Sequence, residues 1–201
     1  NGRPDLATTI TIDKQFDGLI QTASKDNGTI KGNVLCGLDT SGSMTWTTLD
    51  NQGTMPYDVC LSLGIYFSEL NKGAFHNVVA EFNDKSRLMT ISGTFSEKWN
   101  QLQHSCCGGG STNFQSLVDL IVDTRKAHPE YPLEDFPQTL LVVYDMQFNP
   151  SSNGFWGGRT GYDEKTNYQA AIDKLSAVFP KEFVDDFTII WWYCTNRSTR
   201  L

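Results

Sequence analysis

The sequence lacks any uninterrupted apolar run near the roughly 20 residues that a membrane-spanning helix needs. Its first residues, NGRPDLATTI, lack the basic-then-apolar order of a secretory leader. Positive charge is in deficit: 16 Lys and Arg stand against 23 Asp and Glu, and a net charge of -7 gives a field that repels nucleic acid and anionic lipid. Histidine occurs only at His76, His104 and His128, and none sits in a motif that would supply a serine with its base, which argues against a hydrolase. Gly108, Gly109 and Gly110 precede a helix without the Gly-Lys-Ser/Thr ending of a phosphate-binding loop. There is no internal repeat and no low-complexity tract.

The five cysteines, Cys36, Cys60, Cys106, Cys107 and Cys194, are odd in number and share no spacing, and several lie inside apolar runs. That usage suits buried thiols in a reducing compartment, hence an intracellular, cytoplasmic location, better than a disulfide framework. The adjacent Cys106 and Cys107 lack a CxxC partner and read as inert rather than as a redox or metal pair. With 201 residues, 39% of them hydrophobic, the chain can bury one sizeable core. One domain is expected over residues 33–201, behind an extension, 1–32, with a short helix around Phe16, Leu19 and Ile20 and a turn at Asp26-Asn27-Gly28. The absent initiator Met suggests a portion of a longer protein.

From residue 33 the pattern is regular. Strands are predicted at 34–38, 77–82, 87–91, 139–144 and 187–194, the second and third joined by a polar turn at 83–86. Helices are predicted at 58–70 with Pro56 at the start, within 96–103, at 113–127, and at 168–179 ended by Pro180. Apolar strands alternating with amphipathic helices give an α/β fold: a Rossmann-like, mostly parallel sheet with helices on both faces. Trp191 and Trp192 are assigned to core or sheet packing. Trp156, in the Gly-rich NGFWGGRTGY, is either a partner contact or the anchor of its loop.

In such sheets ligands bind beyond the carboxyl ends of the strands, where the winding reverses. Three polar clusters fall at such ends: Asp39-Thr40-Ser41-Gly42-Ser43 after VLCGL, Gly108-Gly109-Gly110-Ser111-Thr112, and Asp145 after TLLVVY. Carboxylate and hydroxyl oxygens suit a hard cation, Mg²⁺, Mn²⁺ or Ca²⁺, over zinc or copper. In DxSxS, alternate residues of an extended or turning segment can face one ion while Gly42 permits the tight path. Alone, the same pattern is also ordinary turn and cap chemistry.

Taken together, DTSGSM, GGSTNF and VVYDMQF resemble the metal-ion-dependent adhesion site of a von Willebrand factor A domain, over about residues 33–196. GGSTNFQSLVDLI and YDMQF resemble a group of that superfamily found in plants, fungi, slime moulds and giant viruses, in which the domain follows a helical region related to that of the Ro autoantigen. The resemblance implies the von Willebrand factor A fold with one metal above the sheet. Asp39, Ser41, Ser43 and Thr112 would be direct or water-mediated ligands and Asp145 an outer or water-mediated one. The chain departs from many relatives at Tyr144, where they carry Ser or Thr.

The resemblance implies a non-enzymatic module whose metal shell, Mg²⁺ by preference, is completed by an acidic residue of a protein partner. Its alternatives are a component of an RNA-protein particle resembling the Ro autoantigen, with RNA held only indirectly or weakly, and a structural or virion assembly protein.

Overall fold

The computed structural model of the chain describes residues 4–25, 32–46, 48–83, 85–105, 113–145 and 164–194. At its centre is β1, Asn33–Asp39, buried along its whole length. VLCGL offers no polar side, so this strand is stable only with both faces covered. Helix α2, Pro56–Leu70, comes next. Pro56 suits a first turn, where its missing N–H costs nothing, and Asp58 Oδ2 accepts the Met55 N–H at 2.8 Å. Then follow β2, Val78–Phe82, β3, Arg87–Thr90, α3, Phe95–Ser105, and α4, Phe114–Ala127. The chain continues through β4, Pro137–Tyr144, α5, Glu164–Ser176, α6, Lys181–Asp185, and β5, Thr188–Tyr193.

The sheet order is β3-β2-β1-β4-β5. Every neighbouring pair is parallel except β2 and β3. This is the mostly parallel, Rossmann-like α/β sheet predicted from the sequence. Val34, Cys36 and Leu38 of β1 pack with Leu61 and Ile65 of α2 and Leu102 of α3 on one face. Leu35 packs on the other with Leu117 and Ile121 of α4 and Leu175 of α5. Two glycines let helices close on the strands: a Cβ on Gly37 would lie 2.6 Å from Leu117 Cδ1, and one on Gly64 2.7 Å from Leu38 Cδ2.

Two buried asparagines fix the amino end of β1. Asn71 exchanges side-chain hydrogen bonds with the backbone N–H and carbonyl of Val34, each 2.8 Å. Asn33 donates to the carbonyls of Lys72 and Asp135 and accepts from the Lys72 N–H, all at 2.8 Å. These bonds satisfy backbone groups that the strand's end would otherwise leave unpaired.

Three expectations need correction. The helix near Phe16 is far longer than expected: α1 spans Leu6–Lys25, started by Asp5, whose Oδ1 accepts the Thr8 N–H at 2.8 Å. None of its residues is fully buried. It docks through the Phe16 ring, 4.7 Å from that of Phe95, and through Asp13 Oδ1, which accepts the Ser96 N–H at 2.9 Å and caps α3. The helix predicted at 168–179 begins at Glu164 and ends at Ser176, and Pro180 starts α6 instead of stopping α5. Trp191 and Trp192 lie in β5 as expected, yet are 42% and 45% exposed, because β5 is an edge strand. The turn expected at Asp26-Asn27-Gly28 lies outside the described residues. Among the described residues no helix is long and apolar enough to cross a membrane.

Candidate functional site

The winding reverses between β1 and β4: from β1 the chain builds outward through β2 and β3, then returns to place β4 and β5 on the opposite side. The carboxyl ends of these two strands therefore flank the crevice where such sheets bind ligands. The β1–β4 register runs to Leu38 opposite Val143, so Asp39 and Asp145 leave the sheet at the same edge.

Asp39 is only 2% exposed. Its Oδ1 accepts the Ser41 N–H at 2.9 Å, an Asx turn that bends the chain out of the strand. The next residues, Gly42–Thr45, form one 3-10 turn closed by Met44 N–H to Ser41 O and Trp46 N–H to Ser43 O, both 3.1 Å. Met44 is fully buried and pins this turn to the core. The Ser41 and Ser43 hydroxyl oxygens are brought 3.0 Å apart. Thus Asp39, Ser41 and Ser43 gather through a turn at Gly42, the turning form of the segment expected from the sequence.

Burial, chiefly, pushes the Asp39 carboxyl up to about 6. The hydrogen bonds from Ser41 oppose that shift, and the charge of Asp145 adds to it. Among the described residues no ion pair reaches Asp39. A buried carboxylate beside a second carboxylate is costly without a cation to offset it. The donors gathered here, two carboxylates and two hydroxyls, are all hard oxygens and fit Mg²⁺ or Ca²⁺ chemistry. Among the described residues no three His, Cys, Asp or Glu side chains form a metal-binding group.

Thr112 lies outside the described residues, as do Cys106, Cys107, Gly108 to Gly110 and Trp156. The structure does fix the residue after Thr112: Asn113 caps α4, its Oδ1 accepting the Gln115 N–H at 3.1 Å. Asn113 N–H donates to Asn83 O at 3.4 Å, and Ser116 Oγ meets Ser86 Oγ at 2.5 Å, so α4 starts beside the end of β2, the neighbour of β1. Tyr144, just before Asp145, is accommodated by the edge strand: its ring makes an edge contact with Trp191 at 5.8 Å, and Trp191 lies 4.9 Å from Phe114 at the start of α4.

The histidines are engaged elsewhere. His76 Nδ1 pairs with Asn71 O at 2.9 Å, His104 Nδ1 with Asn100 O at 2.6 Å and His128 Nδ1 with Glu130 Oε1 at 3.1 Å. The free thiols of Cys36, Cys60 and Cys194 are buried, as expected. Burial pushes the first two far above the ordinary thiol range, and Cys194 up to about 11.

Two residues at the site were not legible in the sequence. Cys60 Sγ lies 3.6 Å from Asp39 O and 3.9 Å from Val143 O, under the ends of both strands. Trp46, closing the 3-10 turn, is 76% exposed. A tryptophan two residues beyond a DxSxSM motif was the available signal for the second; nothing marked the first.

Residues 33–200 match the model of a family described as a domain of unknown function, DUF7788, and the chain belongs to that family. It is also similar to uncharacterized protein L728 of Acanthamoeba polyphaga mimivirus, 29% identical over 191 residues. That alignment covers 94% of this chain and 29% of the viral protein.

Proposed function

For this family member we propose a divalent-cation-dependent, non-enzymatic protein-binding module of the von Willebrand factor A type. The observation that carries the proposal is the burial of Asp39 at the end of the central strand, beside Asp145 and within a turn that brings two hydroxyls together. Asp39, Ser41 and Ser43 would hold the ion from the first loop, Thr112 from the second and Asp145 from the third, directly or through water. Bound there, Mg²⁺, or Mn²⁺ or Ca²⁺ in its place, offers an open position to a carboxylate of a protein partner. Ser41 does two things in this arrangement: its N–H holds the Asp39 carboxylate in one orientation, and its hydroxyl stays beside that of Ser43. The absence of a base near either serine among the described histidines supports binding over nucleophilic chemistry.

Calorimetric titration of Mg²⁺ and Mn²⁺ into EDTA-stripped protein tests the reading. One site per chain is expected, lost in Asp39→Ala. Absence of heat with the wild-type protein, confirmed by unchanged thermal stability in excess Mg²⁺, overturns it.

A further inference from the structure

Trp46 stands out among the described aromatic residues. It is 76% exposed, whereas tryptophan is usually well covered because leaving so large an apolar surface in water is costly. Its backbone is not free: Trp46 N–H donates to Ser43 O at 3.1 Å, so the residue is locked to the turn that carries the two serine hydroxyls. Its ring lies beside the middle of that turn, since a Cβ on Gly42 would sit 3.8 Å from Trp46 Nε1 and 3.9 Å from Cζ2. Gly42 separates Ser41 from Ser43, so the indole lies against the turn that carries both hydroxyls. A solvent-facing indole whose backbone is held at a binding loop suits a contact point, since Trp is enriched at interface hot spots.

We propose that Trp46 is a specificity-determining docking residue: the partner segment presents a carboxylate to the site and, one or two residues away, an aromatic or bulky apolar side chain that covers the indole. This rests on the proposed cation-dependent binding and adds its selectivity. A carboxylate alone gains only the ionic contact. A neighbouring ring also removes apolar surface of Trp46 from water, and ring-on-ring packing adds to that gain. Thr45, which precedes Trp46 in the chain, is exposed and uncharged, which favours an apolar neighbour over a charged one.

The test uses acetylated, amidated peptides against the full chain in Mg²⁺: Gly-Asp-Phe-Gly and Gly-Asp-Ala-Phe-Gly, with Ala in place of Phe, and Asn in place of Asp, as controls. The indole N–H resonance assigned to Trp46, identified by its loss in Trp46→Phe, reports contact, and its shifts give the affinity. At least one Phe peptide should bind about tenfold more tightly than its Ala control. In Trp46→Ala, followed by calorimetry, that preference should vanish while Mg²⁺ affinity stays as in the wild type. Equal binding of Phe and Ala peptides, no binding by any peptide, or a preference that survives Trp46→Ala overturns the assignment even where Mg²⁺ binds normally. Failure of Mg²⁺ to bind removes the cation site and this docking role together. The Mg²⁺ titration thus separates the two failures.

Discussion

The thiol of Cys60, on α2, donates to the backbone carbonyl of Asp39 across 3.6 Å, and the same sulfur lies 3.9 Å from the carbonyl of Val143. One helix residue thereby serves the ends of both strands that carry the site's carboxylates. With one S–H to give, the thiol donates to one of these two carbonyls at a time.

Cys60→Ala should remove that shared donor and leave a small void in a fully buried position. A loss of about 1–2 kcal/mol is expected in urea unfolding. Under the proposed function Mg²⁺ affinity should also fall about tenfold, because the strand ends lose a common support. Calorimetry and denaturation on the same variant check both.

Thiol titration offers a second test. Cys36, Cys60 and Cys194 are buried and their thiols shifted upward. An aromatic disulfide reagent at pH 8 should therefore spare these three in the folded protein and modify all five cysteines only in denaturant. Reaction of Cys60 at a rate independent of denaturant would contradict the packing described.

In EDTA the pH dependence of stability has a defined sign. The Asp39 carboxyl rises from an ordinary 3.8 to about 6 in the folded chain, so between those values the native state holds more protons than the unfolded state. Stability should fall as pH rises through that window, by on the order of 3 kcal/mol, and then level off. Among the described residues, Asp145 and the Cys60 thiol are the other titratable groups that act on Asp39. In Asp39→Asn the fall should disappear and the cation-free protein should be more stable at pH 7. Urea midpoints across pH 4–7 measure this.

Glycine replacements should split by location. Gly37→Ala drives a methyl into Leu117, with Cδ1 only 2.6 Å from the new Cβ, and should cost about 1–3 kcal/mol through overpacking. Gly18→Ala, in the exposed helix α1, meets nothing within 4 Å and should gain about 0.5–1 kcal/mol from helix propensity. Thermal melting of the two variants should move in opposite directions.

Much of this architecture was legible because parallel strands buried on both faces must be apolar throughout. VLCGL and TLLVVY read directly as strands for that reason, and Asp39 and Asp145 read as their ends. The approach of Asp39, Ser41 and Ser43 followed from spacing, with Gly42 marking the tight path between them. Legibility failed where burial is partial. Helix α1 has no fully buried residue, and Asp13 reaches α3 through one hydrogen bond that no local pattern encodes. Trp191 and Trp192 looked like core because composition cannot distinguish an edge strand from a central one. Cys60 was invisible for another reason: its role depends on the carbonyls of two strands that only the tertiary fold brings beneath one helix.

The register of β1 with β4 also has a temporal meaning. Asp39 is synthesised early, yet its strand cannot gain its β4 neighbour until residues past 137 have left the ribosome. Until then one long edge of β1 has no partner, and the carboxylates of Asp39 and Asp145 have not met. A nascent chain halted before β4 would carry the whole DTSGSM segment without the second carboxylate beside it. The pairing of these two acids thus reports that biosynthesis has passed the strand on which the sheet depends.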